Sequence, residues 1–395
     1  MKNSTKIFGG DKTYLYIAAV VLIVHGIVWL FSGNSPLAPN YYNSYVLQAE
    51  AWKDGSLDLG RGFTHLELAE YDYRFFVSFP QFPAMVYFLF VLPGLPVPEG
   101  FIALGFAIAG ALLCYSTGKS AGLSTKFAFI LSIAMTCGSN ILFVSVTPWV
   151  WFIAQNMCFT LTVASLFFAL RKKPFLCFLF WAFAVGCRPF QLLYFPLLCM
   201  VLCKDCKGYS SLVKKPYVFS GAIVMGILYM WLNYARFGNI FEFGHSYLPE
   251  FTEAAHGQFH ISYLKSNLYS LIRVPTTGSG GELVMPRFDG MNLFIASPVF
   301  AYAIYCYCSR FKTNRRIKTV ALVTIIAELF VIALHKTMGG WQFGNRYTND
   351  CLPLALIIIA LSDIRKENYP TGLSLLTVYG VLMNVAGTII CYMNA

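Results

Sequence analysis

Residues 14–31 read YLYIAAVVLIVHGIVWLF, an apolar run without a charged residue in which His25 is the one imidazole. A helix needs ~20 such residues to cross ~30 Å of hydrocarbon. Lys2, Lys6 and Lys12 precede the run, which by the positive-inside rule puts the N-terminus in the cytoplasm and the next loop outside. No small-residue cleavage pattern follows, so the run reads as a retained span and not as a signal peptide.

Runs of the same kind recur to the other end of the chain, at 79–95, 101–115, 127–146, 149–170, 175–203, 217–235, 291–308, 319–333, 352–361 and 371–393. Of the 395 residues 57% are hydrophobic and 12% charged, about half the charged fraction of a soluble domain. A backbone in hydrocarbon must satisfy its own polar groups, which leaves helices. The expected fold is all-α: a polytopic transmembrane bundle of about 10–12 spans, one integral membrane domain over residues 1–395, with juxtamembrane helices in the first external loop. The run 175–203 is interrupted by Arg188-Pro189, so it is one kinked span or two short ones.

The net charge of +11 follows from basic loops and needs no nucleic acid, because no basic stripe with interleaved aromatics occurs. The expected localisation is the plasma (inner) membrane, multi-pass, among membrane lipids. Lys204, Lys207, Lys214 and Lys215, then Arg310 to Lys318, then Arg365 and Lys366 mark inside loops; 236–290 and 337–350 lie outside. The first half is less orderly: if every run crosses, Lys119, Lys126 and Arg171-Lys172-Lys173 fall outside. A proline-rich segment at 80–98 that dips in and returns would resolve this. The twelve cysteines sit mostly in apolar runs as small hydrophobes, and Cys203 with Cys206 has no second ligand pair to make a zinc site.

Three external segments carry the polar chemistry. The first loop, residues 32–78, holds Glu50, Asp54, Asp58, Glu67, Glu70 and Asp72. The long loop and the short Gly-Trp loop hold Arg236, Arg273, Arg287 and Arg346, with Lys336 at the span end before the latter. Carboxylates opposite cations suit a substrate bearing hydroxyls and a phosphate. Tyr45, Ala49 and Trp52 have the spacing of an interfacial helix with Glu50 at its edge. Trp149 and Trp151 read as interfacial anchors or as a sugar-stacking surface. Glu328 lies inside an apolar run, where an acid is expensive and paired with a cation or coupled to protons. His245, His256 and His260 share the long loop without metal-ligand spacing, so no metal site is expected.

These segments resemble the C-type glycosyltransferases, multi-span enzymes that include protein O-mannosyltransferases and aminoarabinose transferases. The resemblance rests on Ala49-Glu50-Ala51-Trp52 leading to Gly55-Ser56-Leu57-Asp58-Leu59, on Glu67-Leu68-Ala69, on Phe75-Phe76 with Pro80 to Pro83, and on the late loop Gly340-Trp341-Gln342-Phe343-Gly344-Asn345-Arg346-Tyr347. It implies transfer of a sugar from a polyprenyl-phosphate donor to a hydroxyl of a glycan, lipid or protein acceptor on the outer face. A first-loop carboxylate would be the general base: Glu67 or Glu50, then Glu70 or Asp58. Arg346 would steady the leaving phosphate with Lys336 or a long-loop arginine such as Arg236 or Arg287, and Trp341, Tyr347 and His65 would complete substrate binding. A divalent cation stays open as a cofactor. Where many relatives carry an aspartate soon after the first span this chain has Asn40 and Asn43. A transporter or flippase for a lipid-linked sugar or small solute is the alternative, and a fold-retaining assembly component without a base is a third reading.

Overall fold

The computed structural model describes residues 11–203, 212, 214–281, 283–309, 313–362 and 370–393. Lys2, Lys6, Lys204, Cys206, Lys207, Arg310, Arg365 and Lys366 lie outside the described residues. The protein is an all-helical membrane bundle, with α1 at Thr13–Ser32, α2 at Ser44–Lys53, a hairpin of β1 Leu68–Tyr71 and β2 Arg74–Val77, then α3 Phe82–Val91 and α4 Glu99–Ala121. Next come α5 Thr125–Met135, α6 Ile141–Val146, α7 Val150–Leu170, α8 Pro174–Val185, α9 Phe195–Leu202 and α10 Ser220–Phe237. The last are α11 Val299–Cys308, α12 Arg315–Ala333, α13 Leu352–Ala360 and α14 Thr371–Met393. Among the described residues five helices are long and apolar enough to span a membrane, starting at Thr13, Glu99, Val150, Pro216 and Thr371; the rest are shorter or carry charge.

α7 is the central post, with nearly all its residues buried. Its polar side chains bond across to neighbouring backbones: Asn156 Nδ2 to Ala103 O (2.8 Å), Thr160 Oγ1 to Phe106 O (2.9 Å) and Ser165 Oγ to Cys177 O (2.8 Å). Between helices in hydrocarbon such bonds replace the hydrophobic drive that lipid tails cannot supply.

Contacts at the helix ends settle which ends share a side. Asn40 Nδ2 donates to Glu99 Oε1 (2.8 Å) and to Pro148 O (2.9 Å), joining the chain after α1 to the starts of α4 and α7. Both ends of the proline-rich stretch therefore lie on one side, and α3, ten residues and ~15 Å long, dips and returns. At the opposite end Tyr115 Oη donates to Asp11 Oδ2 (2.5 Å), and Lys172 Nζ donates to Val201 O and Leu202 O. The start of α8 thus lies beside the end of α9, so the run 175–203 is two short helices that go out and come back. The turn between them follows from Pro189, which lacks an N–H and forces Arg188 into extended backbone (φ −149°, ψ 113°).

With α3 dipping, Lys119, Lys126 and Arg171 to Lys173 fall at the end shared with Lys12 and Arg315, and the positive charges of the first half no longer conflict with those of the second. Single reporter cysteines at Ser124 and Lys172 are expected to react with a membrane-impermeant maleimide from one face, and those at Gly62 and Gln258 from the other. Labelling of Ser124 and Gly62 from the same face would put α3 across the membrane.

Candidate active site

On the face marked by Asn40, the first loop, the start of α7, the turn between α8 and α9, the long loop and the Gly-Trp loop enclose a cavity of about 660 Å³. That volume is within the range of pockets for small ligands. Its walls are largely aromatic, with Trp149, Trp151, Phe152 and Trp341 forming one continuous surface: Trp149 and Phe152 stack at 5.3 Å and Trp149 meets Trp341 at 5.4 Å between ring centroids.

Glu67 enters this cavity from the base of the hairpin. Asp72 and Tyr73 both have positive φ (51° and 56°), the two-residue turn whose twist matches a tight hairpin. Ser78 Oγ donates to Glu67 O (2.9 Å) and closes the hairpin's base. The Glu67 carboxylate accepts a bond from Trp151 Nε1 (2.8 Å). Protein surrounds it while the cavity leaves it open, and that enclosure raises its pKa; the Trp151 bond and the charge of Arg346 oppose the rise. Glu250, on the short turn Pro249–Thr252, is a second carboxyl in the wall; burial and then the charge of Glu67 push its pKa up.

The opposing cations are Arg188 and Arg346, both over the Tyr347 ring at 4.9 and 5.1 Å from its centroid. Arg188 Nε donates to Asp350 Oδ2 at 2.6 Å. Arg346 Nε and Nη2 both donate to Gly339 O (2.8 and 2.5 Å), and its backbone N–H donates to Gln342 Oε1 (2.6 Å). Gly339 has φ 108°, and a Cβ there would lie 2.9 Å from Arg346 Nε, so the bare backbone is what lets the guanidinium close on it. The loop is anchored at its far end by Asn140 Nδ2, which donates to Phe343 O (2.7 Å). His245 and His335 stack at 6.1 Å on the long-loop side, and burial lowers them to about 3 and about 4, leaving both neutral near pH 7.

Of the carboxylates and substrate-binding residues singled out from the sequence, Glu67, Arg346, Trp341 and Tyr347 line the cavity, as do Trp149 and Trp151, while Glu50, Glu70, Asp58, Lys336, Arg236, Arg287 and His65 do not. Glu50 is exposed on α2, and Glu70 is exposed on β1. Asp58 accepts from Gly60 N (2.7 Å) and serves a turn. Lys336 Nζ donates to Glu250 O, a backbone atom, beside the cavity. Arg236 is buried at the end of α10, donating to Val77 O (3.0 Å) and Asn233 Oδ1 (3.2 Å), and so braces the hairpin. Arg287 contributes its backbone carbonyl to Gln342 N (2.7 Å), and His65 packs against Tyr41 at 4.3 Å in a separate open hollow. Glu328 is met by a thiol, Cys351 Sγ to Oε2 at 3.1 Å, and not by a cation. His256 and His260 stack on each other at 4.2 Å, and among the described residues no three His, Cys, Asp or Glu side chains gather as metal ligands. Asn40 is the strap between helix ends. From the sequence Arg188 reads first as a helix-break cap and second as a contact for a lipid phosphate, the signal being an arginine before a proline inside an apolar run; Glu250, an isolated acid after Pro249, gives no such signal.

No family model and no curated protein matches the sequence. The crystal structure of the Archaeoglobus fulgidus oligosaccharyltransferase in the apo form does match in structure, with a TM-score of 0.56 and 10% identity, over 98% of this chain and 56% of that one. The fold is the one seen in that oligosaccharyltransferase structure. At that identity the two share architecture, and the chain spans little more than half of the relative's length.

Gly344 has φ 73°, and a Cβ there would come within 2.3 Å of Asn140 Nδ2 and 2.9 Å of the Ala296 Cβ. Gly344→Ala is expected to destabilise the protein by at least ~1–2 kcal/mol, the cost of left-handed backbone for an L-residue, and to lower the melting temperature in detergent. An unchanged melting temperature would mean the loop is not held in this conformation.

Proposed function

We propose that the chain is a glycosyltransferase of the plasma membrane that moves a sugar from a polyprenyl-phosphate donor to an acceptor hydroxyl on the outer face, with Glu67 as general base. The observation that carries this is one aromatic cavity whose lining holds the Glu67 carboxylate together with Arg188 and Arg346. The cationic loop ends gather on the far side of the bundle from the cavity, which by the positive-inside rule makes the cavity side external and the N-terminus cytoplasmic.

In the step proposed, Glu67 takes the proton of the acceptor O–H as that oxygen forms a bond to the anomeric carbon. The bond from that carbon to the phosphate oxygen breaks, and its electron pair stays on the lipid phosphate. Arg346 and Arg188 are suited to that developing charge because each guanidinium is planar and already fixed by another partner, so little reorganisation is needed. Trp149, Trp151 and Trp341 offer faces for a sugar ring. The shared fold of an oligosaccharyltransferase supports the class; donor, acceptor and base rest on the cavity.

The test is transfer of labelled sugar from a polyprenyl-phosphate pool in proteoliposomes. Glu67→Gln is expected to lose ~10²–10⁴ in kcat while still binding donor, and Arg188→Ala or Arg346→Ala to lose donor binding and rate together. Full activity of Glu67→Gln, with Glu250→Gln inactive, would move the base to Glu250. Lipid translocation without sugar transfer by the wild type would replace the enzyme with a flippase.

A base works when deprotonated, so kcat/KM should rise with pH through the Glu67 pKa, which lies above the ordinary glutamate value. Trp151→Phe removes a bond that favours the charged carboxylate and should move this acid limb to higher pH. An acid limb that does not move would show that Glu67 is not the titrating group.

A further inference from the structure

β1 and β2 pair with the register Tyr71 to Arg74, Ala69 to Phe76 and Leu68 to Val77, closed by a two-residue turn. In such a hairpin the residues flanking the turn exchange both backbone bonds, and pairing then alternates along the strands. Tyr71 with Arg74 and Ala69 with Phe76 therefore bond inward, while Leu68, Glu70, Phe75 and Val77 turn their N–H and C=O groups outward. Two contacts confirm this on the β2 side: Phe75 O accepts from Leu59 N (2.8 Å), and Val77 O accepts from Arg236 Nη1 (3.0 Å). One face of the hairpin is also covered, since Ala69 and Phe76 are buried against Phe237 and Tyr247. On the β1 side no described residue bonds the outward groups of Leu68 or Glu70. A free strand edge is a template for another strand, and folded proteins normally blunt it.

We propose that this edge docks an extended polypeptide acceptor, which pairs with Leu68 and Glu70 and is led by them into the cavity at Glu67. The inference rests on the glycosyltransferase reading for its purpose, and on the hairpin alone for its geometry. Glu67 immediately precedes β1 and lines the cavity, so the edge and the cavity are continuous. A residue opposite Leu68 would be followed ~3.4 Å on by one within reach of the Glu67 carboxylate. A row of backbone donors and acceptors at strand spacing matches an extended peptide, which adds to it as a further strand. Charge gives the second argument, because Glu67, Glu70 and Asp72 of the hairpin and Glu242, Glu250 and Glu253 of the adjoining loop favour a peptide with lysine or arginine beside its hydroxyl residue.

The experiment measures binding, without donor, of a fluorescent serine peptide with flanking lysines to the full chain in nanodiscs. Glu70→Pro deletes the outward N–H and leaves the inward bonds, and should weaken binding about tenfold, the effect of one lost backbone bond. Glu70→Thr loses the same charge but keeps the N–H, so it should bind the peptide severalfold more tightly than Glu70→Pro. Because Glu70→Pro could disturb the hairpin, photoreactive groups placed at successive peptide positions give a second readout on the wild type, crosslinking to residues 68–71 with a period of two. Equal loss in both variants, or crosslinks without that period, overturns strand pairing. Sugar transfer to a glycolipid with no peptide binding overturns this inference and keeps the enzyme; peptide binding with period-two crosslinks but no transfer keeps the edge and rejects the enzyme.

Discussion

The contact between Arg188 Nε and Asp350 Oδ2 at 2.6 Å joins two parts of the chain at the cavity wall that are far apart in sequence. Arg188 is delivered by the proline break between α8 and α9, and Asp350 by the 3₁₀ turn that leads from the Gly-Trp loop into α13. Both are enclosed, and an enclosed charge without a partner is far more costly than the pair. The same turn is tied again by Tyr194 Oη, which donates to Asp350 O (2.5 Å). Because Arg188 spends only its Nε on Asp350, the rest of the guanidinium faces the cavity. The interaction that closes the bundle therefore also orients a cation.

How much of this was legible in the sequence differs by scale. Apolar runs specify helices because hydrocarbon leaves the backbone no other choice, and each run did become helical. What the runs could not specify was which of them turn back, since a dip and a crossing have the same composition. Charge gave the hint, through Lys119, Lys126 and Arg171, and a single amide resolved it: Asn40 can reach Glu99 and Pro148 together only if all three lie on one side.

The candidate site was legible where chemistry and chain position coincide. Glu67 and the Gly-Trp loop stand out because an acid before an aromatic hairpin and three glycines around an arginine are unusual at a bilayer surface. Lys336 and Arg236 have the right charge in the right loops, yet their side chains are directed elsewhere by backbone carbonyls that no sequence pattern displays. Arg188 failed in the other direction. Its place inside an apolar run made a structural explanation sufficient, and only the three-dimensional return of α9 shows that the break opens on the cavity.

The electrostatics of the cavity make the order of events matter. Enclosure alone would make Glu67 a stronger base but would also keep it protonated, and Trp151 with Arg346 holds it toward the charged form. On the reading proposed, a bound lipid phosphate adds a negative charge beside Arg346 and cancels part of the attraction that Glu67 feels. The affinity of Glu67 for a proton then rises when donor is bound, as a nearby like charge requires. The base is thus restrained in the empty cavity and gains strength when there is a sugar to transfer. That coupling needs the carboxylate and the arginine to share one low-dielectric space, which is what the hairpin, the start of α7 and the Gly-Trp loop assemble.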